Sequence, residues 1–236
     1  MSIKIIEGNI FTSKCQVIVN TVNCVGVMGA GIALECRLRY PNMYNKYVQL
    51  CADKEIDIGV LWIYKSQDKW ILNFPTKMHW KYPSKKEYLY AGLEKFLDTY
   101  QEKSIHSIAF PLLGSDKGGI PQEESLKIMR SYLDKVDVNV NIEIYRYSAT
   151  AEDDLYRRTK EWLLLQDIDS ISRSTKLRKD YVVMVIDAMQ SSDIFQLNQL
   201  AKVKGIGIKT LEKLFNLAQA TLNCDTSPKF SQKTLF

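Results

Sequence analysis

Histidine is nearly absent from this chain: His79 and His106 are the only two among 236 residues. Neither has a second ligand at metal-binding spacing, so no metal site is expected. The five cysteines, Cys15, Cys24, Cys36, Cys51 and Cys224, are odd in number and scattered, with no CxxC pair. That pattern argues against a disulfide framework and makes a reducing cytoplasm the expected setting. No apolar run approaches the ~20 residues of a membrane span. The first stretch is broken by Lys4 and Glu7, so it is not expected to be a signal peptide. Walker spacing, the GxGxxG fingerprint, internal repeats and low-complexity tracts are all missing. Neither charge sign dominates: 32 Lys plus Arg against 27 Asp plus Glu leave +5, which permits a phosphate-rich partner without demanding one. What is there is 46% hydrophobic and 25% charged, an ordinary globular balance that excludes collagen-like, coiled-coil and wholly disordered chains.

Through about residue 147, β-branched runs alternate with helical periodicity. Strands are expected at 3–6, 17–19, 60–64, 70–74, 106–113 and 141–147, and helices from about 31 to Pro41, then over 41–54, 85–102 and 122–135. Ser84 is the expected cap of the third helix. Strands separated by helices predict an α/β fold with a mostly parallel central sheet and helices on both faces. Ligands in such sheets lie beyond the carboxyl ends of the strands. From Ala151 onward the pattern turns helical without strands, over 151–166, 175–190 and two short helices within 191–218. A flexible tail is expected from 221 to 236. The expected domains are therefore 1–147, 148–220 and 221–236.

Three segments that follow strands carry the chemistry. Asn20–Gly31 offers the Asn23 amide and the small-residue run Met28, Gly29, Ala30, Gly31 at a helix start, where bare N–H groups favour anions. The same run also suits a plain strand-to-helix turn. Leu113, Gly114, Ser115, Asp116, Lys117, Gly118, Gly119 and Ile120 form a second cradle, and two such loops at one edge could clamp a pyrophosphate. Lys77, in Phe74-Pro75-Thr76-Lys77-Met78-His79-Trp80, lies just past a strand end. A desolvated amine there would be a nucleophile or proton donor, whereas a solvated surface lysine is the ordinary alternative.

Glu7-Gly8-Asn9-Ile10, the run Asn20 to Ala33, Asn73 to Trp80, and Pro111-Leu112-Leu113-Gly114 together resemble a macrodomain of the DarG antitoxin type. That branch removes ADP-ribose from DNA bases. The resemblance covers roughly residues 1–147 and implies a three-layer α/β/α fold holding ADP-ribose at the sheet's C-terminal edge. It places Gly8, Asn9 and Ile10 by the adenine, Asn23 at the distal ribose, and residues 28–31 around the distal ribose and diphosphate. The second phosphate loop would be 113–120, and Lys77 would be the catalytic lysine, with Asn23 as the second catalytic residue. Two positions depart from the pattern. Ala30 stands where DarG-like sequences carry Lys, and Gly118 stands where a related terminal ADP-ribose glycohydrolase uses Asp, with Asp116 two residues early. No cofactor is implied, ADP-ribose being ligand and product; an ADP-ribosyltransferase toxin is an implied partner. Removal of ADP-ribose from acidic protein side chains and non-catalytic ADP-ribose reading remain the rival functions.

Residues 200–214 resemble a helix-hairpin-helix motif. Gly205 and Gly207 would turn the backbone sharply and bare N–H groups to a DNA phosphate, with Lys202, Lys204, Lys209 and Lys213 adding charge. A hairpin used only for packing or protein contact is the alternative. The last residues, with Gln232, Leu235 and Phe236 as anchors, resemble a peptide that binds a sliding clamp.

Overall fold

The computed structural model describes residues 3–224, with side chains through 220. It divides into two compact units, residues 1–152 and 153–236.

The first unit carries one six-stranded sheet. Its strands are β1 (Ile3–Gly8), β2 (Val17–Asn23), β3 (Trp62–Lys65), β4 (Trp70–Lys77), β5 (Ser107–Pro111) and β6 (Asn141–Tyr147), in the order β1-β6-β5-β2-β4-β3. All neighbours are parallel except the edge strand β3, which runs antiparallel to β4. Strands covered on both faces need apolar residues at both parities of the pleat. β2 shows this directly. Val17 and Val19 join Leu72, Phe74, Ile108 and Phe110 in one core, while Ile18 and Val22 join Ile71 and Ala109 in another. The first core is closed by α3 (Lys86–Thr99) and α4 (Gln122–Leu133) through Leu89, Leu93, Phe96, Met129 and Leu133. The second is closed by α1 (Gly31–Arg39) and α2 (Pro41–Ala52) through Cys36, Met43 and Tyr47. The result is the expected three-layer α/β/α fold, with a mostly parallel sheet between two pairs of helices.

The second unit is helical: α5 (Asp154–Leu165), α6 (Ile168–Thr175), α7 (Lys179–Gln190), a 3-10 segment Leu197–Lys202 and α8 (Ile208–Cys224). Asp153 organises it. Its carboxylate, 2% exposed, accepts from Leu155 N at 3.0 Å, capping α5, and from Leu197 N at 2.8 Å.

Several expected boundaries are corrected. Ser84 does not cap α3; its N–H donates to Gly118 O at 2.9 Å, and Lys85 takes the N-cap position without a side-chain bond. The helix expected over 175–190 is α7, which starts only at Lys179, and α6 forms over 168–175, where no helix was expected. Asp167 caps α6 by accepting from Ser170 N at 2.9 Å, and Lys176, at φ 56°, ends that helix before α7 begins. The last helix also continues to Cys224, into the stretch expected to be a tail. The proposed clamp-binding residues Gln232, Leu235 and Phe236 lie outside the described residues.

Candidate functional site

The sequence-derived site residues gather where parallel strands end. Gly8 closes β1, Asn23 closes β2, Lys77 closes β4, and the 113–120 loop follows β5. Because β5, β2 and β4 are adjacent in the sheet, these last three segments share one edge.

The loop after β2 is built by Asn23. A register shift between Val22 and Asn23 brings Asn23 opposite Lys77. The Asn23 Oδ1 accepts from Val25 N at 3.0 Å and Val27 N at 3.3 Å, while its Nδ2 donates to Val27 O at 2.5 Å. Tyr47, on α2, donates its hydroxyl to the Asn23 carbonyl at 2.6 Å. Burial pushes the Tyr47 phenol well up, so it stays protonated and a donor. Nothing local in the sequence signals this role of Tyr47, because periodicity reveals the buried face but not the target of a hydroxyl. The Asn23 amide keeps one further N–H beyond its bond to Val27.

The loop leads into α1, whose N-cap, Ala30, makes no side-chain cap bond. The first-turn amides of an uncapped helix carry partial positive charge, which favours an anion. Met28 is fully buried beneath the loop. Its sulfur lies 4.0 Å from the Asn20 amide nitrogen, which also donates to Asn73 Oδ1 at 2.9 Å across β2 and β4.

The second loop is self-braced. Ile120 N donates to Gly114 O at 3.0 Å, Gly119 N to Ser115 O at 2.7 Å, and Ser125 Oγ on α4 to Leu113 O at 2.7 Å. Gly118 is sterically required: a Cβ there would sit 2.1 Å from Gly114 O and 2.5 Å from Ser84 Oγ. An Asp at this position is therefore incompatible with the loop as folded, whereas Asp116 has room. The Asp116 carboxylate reaches to 3.7 Å from where a Gly31 side chain would begin, so the two loops face each other across the edge.

Lys77 joins both loops. Its Nζ donates to the Lys117 carbonyl, and its own carbonyl accepts from Cys24 N at 3.1 Å. Burial lowers its pKa, Asp116 opposes that shift, and Lys117 adds to it. Cys24 is the other potential nucleophile nearby, but burial, with Asp57 and Cys51, pushes its thiol up to about 12. It is therefore protonated at neutral pH and a poor nucleophile.

On the far side, Asn9 is buried, accepting from Phe11 N at 3.1 Å. Its Nδ2 is buried and has no partner. Ile10 is buried beside it, and Gly8 ends β1.

Of Gly205 and Gly207 in the second unit, only Gly205, at φ 95°, has a left-handed backbone. A Cβ there would meet Met184 Sδ at 2.9 Å, whereas one at Gly207 would meet nothing within 4 Å. The sharp turn thus rests on Gly205 alone, and Gly207 contributes open space at the start of α8. Gly207 O accepts from Thr210 N at 3.0 Å and Leu211 N at 3.2 Å. Lys202, Lys204 and Lys209 are exposed, but Lys213 donates to the Lys176 carbonyl at the end of α6. Leu200, Ile206, Leu211 and Leu214 are buried, and Val203 and Ile208 are half-buried.

Comparison with known proteins adds the following. A family model described as Macro domain matches residues 19–129. The solved macrodomain of Mycobacterium tuberculosis DarG is 38% identical, with a TM-score of 0.60, over 62% of this chain and 99% of that one. Thermosipho africanus DarTG in complex with ADP-ribose is 30% identical, with a TM-score of 0.57, over 61% of this chain and 42% of that one. The DNA ADP-ribosyl glycohydrolase of Thermus aquaticus is 36% identical over 149 residues. The chain spans 41% of the length of that curated relative.

Proposed function

The chain belongs to the macrodomain family, and on that premise we propose that it is a hydrolase removing mono-ADP-ribose from DNA bases. The observation that carries the reading is Lys77, a partly desolvated amine held between two facing glycine loops at the sheet's C-terminal edge.

ADP-ribose lies along that edge. Asn9 turns its spare Nδ2 toward the adenine beside Gly8 and Ile10. The diphosphate sits between the uncapped start of α1, with Met28, Gly29, Ala30 and Gly31, and the loop Leu113 to Ile120. The distal ribose takes the remaining Asn23 N–H, so that its anomeric carbon faces Lys77. The lysine acts there as a nucleophile on the anomeric carbon or as the proton donor to the departing base. Relatives named DNA ADP-ribosyl glycohydrolase, from Thermus aquaticus and Mycobacterium bovis, support this reading. The Gly205 turn, with Lys204, Gly207 and Lys209, supplies sequence-independent DNA contact through phosphates. An ADP-ribosyltransferase toxin is the proposed protein partner, since a Thermosipho africanus relative is named as a fusion of transferase and glycohydrolase. A sliding clamp held through Gln232, Leu235 and Phe236 is a further proposed partner.

The test is incubation of wild type and Lys77→Ala with mono-ADP-ribosylated DNA and with ADP-ribosylated protein. Release of ADP-ribose from DNA by the wild type alone is expected. Release only from protein would favour acidic side chains as substrate, and binding without release would make the protein a reader.

A further inference from the structure

The chain leaves β4 through a turn whose rings lie outside. Met78, Trp80 and Tyr82 are 44%, 49% and 65% exposed, directly after the residue proposed to act on the substrate. An unpartnered apolar cluster of this kind marks a contact surface. The rings are held in place by the turn. Cys24 N donates to Met78 O at 3.3 Å, Tyr82 N donates to His79 O at 3.1 Å, and Lys81 N donates to His79 Nδ1 at 3.2 Å. His79 stacks on Trp80 with centroids 5.6 Å apart and planes 25° from parallel, and Tyr82 lies 5.5 Å from His79.

Along the segment that carries the rings the charge is of one sign, with Asp116 reaching Lys77 from the neighbouring loop. Between Lys69 and Lys86 there is no Asp or Glu, while Lys77, Lys81 and Lys85 fall within that span. Lys81 Nζ lies 5.2 Å from the Trp80 ring centroid. Flat aromatic faces interleaved with ammonium groups, on a segment that itself has no carboxylate, match a nucleobase and its phosphates. A purely apolar protein face would leave the ammoniums unmatched.

We propose that Trp80, with His79 and Tyr82, is a stacking platform for the nucleotide flanking the ADP-ribosylated one, with Lys81 and Lys85 on its phosphates. The placement of that nucleotide rests on the hydrolase reading above, because Trp80 follows Lys77 by three residues. A base lies on the platform only when it is out of a duplex stack, so the strand bound here is single-stranded at that point. A positioning role of this kind raises the affinity for the polymer and leaves affinity for the ADP-ribose moiety alone.

The experiment uses the full chain as wild type, Trp80→Ala and Trp80→Phe, with three probes: free ADP-ribose, an unmodified single-stranded oligonucleotide and a mono-ADP-ribosylated oligonucleotide. Trp80→Ala should weaken oligonucleotide binding and raise the modified strand's KM about tenfold, since one base stack is lost. Trp80→Phe should restore most of both, and calorimetric affinity for free ADP-ribose should stay within twofold throughout. Equal oligonucleotide affinity in wild type and Trp80→Ala overturns the platform and leaves the patch to a protein partner. A matching loss of free ADP-ribose affinity also overturns it, because Trp80 would then merely support the nucleotide site. If no variant releases ADP-ribose from DNA while Trp80 still governs oligonucleotide binding, the platform stands and the hydrolase reading falls.

Discussion

Replacing Gly118 with alanine adds one methyl group where the loop has no room for it. The new Cβ would lie 2.1 Å from Gly114 O, 2.5 Å from Gly114 C and 2.5 Å from Ser84 Oγ. Ordinary contact begins near 3.5 Å, so relief requires a backbone displacement of about 1 Å or more. Gly114 cannot yield cheaply. A Cβ at Gly114 would already meet Ile120 Cδ1 at 3.0 Å and Leu89 Cδ1 at 3.1 Å, so side chains crowd it. Displacing Gly118 instead strains the bonds from Ser84 N to Gly118 O at 2.9 Å and from Ile120 N to Gly114 O at 3.0 Å. Overpacking costs about 1–3 kcal/mol, and each hydrogen bond lost adds about 1 kcal/mol. The expected destabilisation is therefore about 2–4 kcal/mol, below the roughly 5–15 kcal/mol by which domains are stable. Urea denaturation should show a lower midpoint with an unchanged slope. Calorimetry on the still-folded protein should show at least tenfold weaker ADP-ribose binding. Gly119→Ala is the control: its Cβ meets nothing within 4 Å, so only its φ of 84° is penalised, by about 1 kcal/mol. A Gly118→Ala protein with wild-type midpoint and affinity would refute the steric reasoning and reopen Gly118 as a place for a catalytic carboxylate.

Other expectations are shorter to state. Lys77→Ala should lose at least a hundredfold in kcat while holding ADP-ribose affinity within a few-fold, because an amine used in bond breaking acts mainly in the transition state; stopped assays beside calorimetry decide it. Burial lowers the Lys77 pKa from its ordinary 10.5, so its neutral fraction grows at lower pH than for a free lysine. If the amine is the nucleophile, the pH–rate profile rises through that lowered pKa, and Asp116→Asn shifts the rise further toward acid by removing the charge that opposes the shift. A rate that falls over the same range would assign the lysine as the proton donor. Reversing Lys204 and Lys209 to Glu should weaken DNA binding equally across sequences and flatten its salt dependence, measured by anisotropy at several ionic strengths. Asp153→Ala should cost about 2–4 kcal/mol by removing the α5 cap and leaving Leu197 N–H buried without its acceptor, with ADP-ribose affinity unaltered.

How much of this was legible in the residues varies by element. The unbroken apolar run Val17, Ile18 and Val19 suits a strand covered on both faces, and Pro41 separated α1 from α2. The helix expected across 175–190 starts only at Lys179, because the chain first leaves α6 at Lys176. The residue adopts a left-handed conformation that nothing in its own chemistry announces, whereas the overlooked signal was the Asp167–Ser170 cap.

The site divides in the same way. Local sequence determined that small residues would follow β2 and β5 and that a lysine would end β4, and the family resemblance attached roles to them. Only tertiary structure decided that Asp116 faces Gly31, that Gly118 admits no side chain, and that Tyr47 holds Asn23. It also decided that Lys213 is spent on a carbonyl and that Trp80 and Tyr82 are left uncovered. Periodicity and turn chemistry act over a few residues, so they can be read along the chain. Which loop meets which, and which ring finds no cover, depends on strand order and on close packing between segments distant in sequence, where a shift of about one ångström changes which groups can meet.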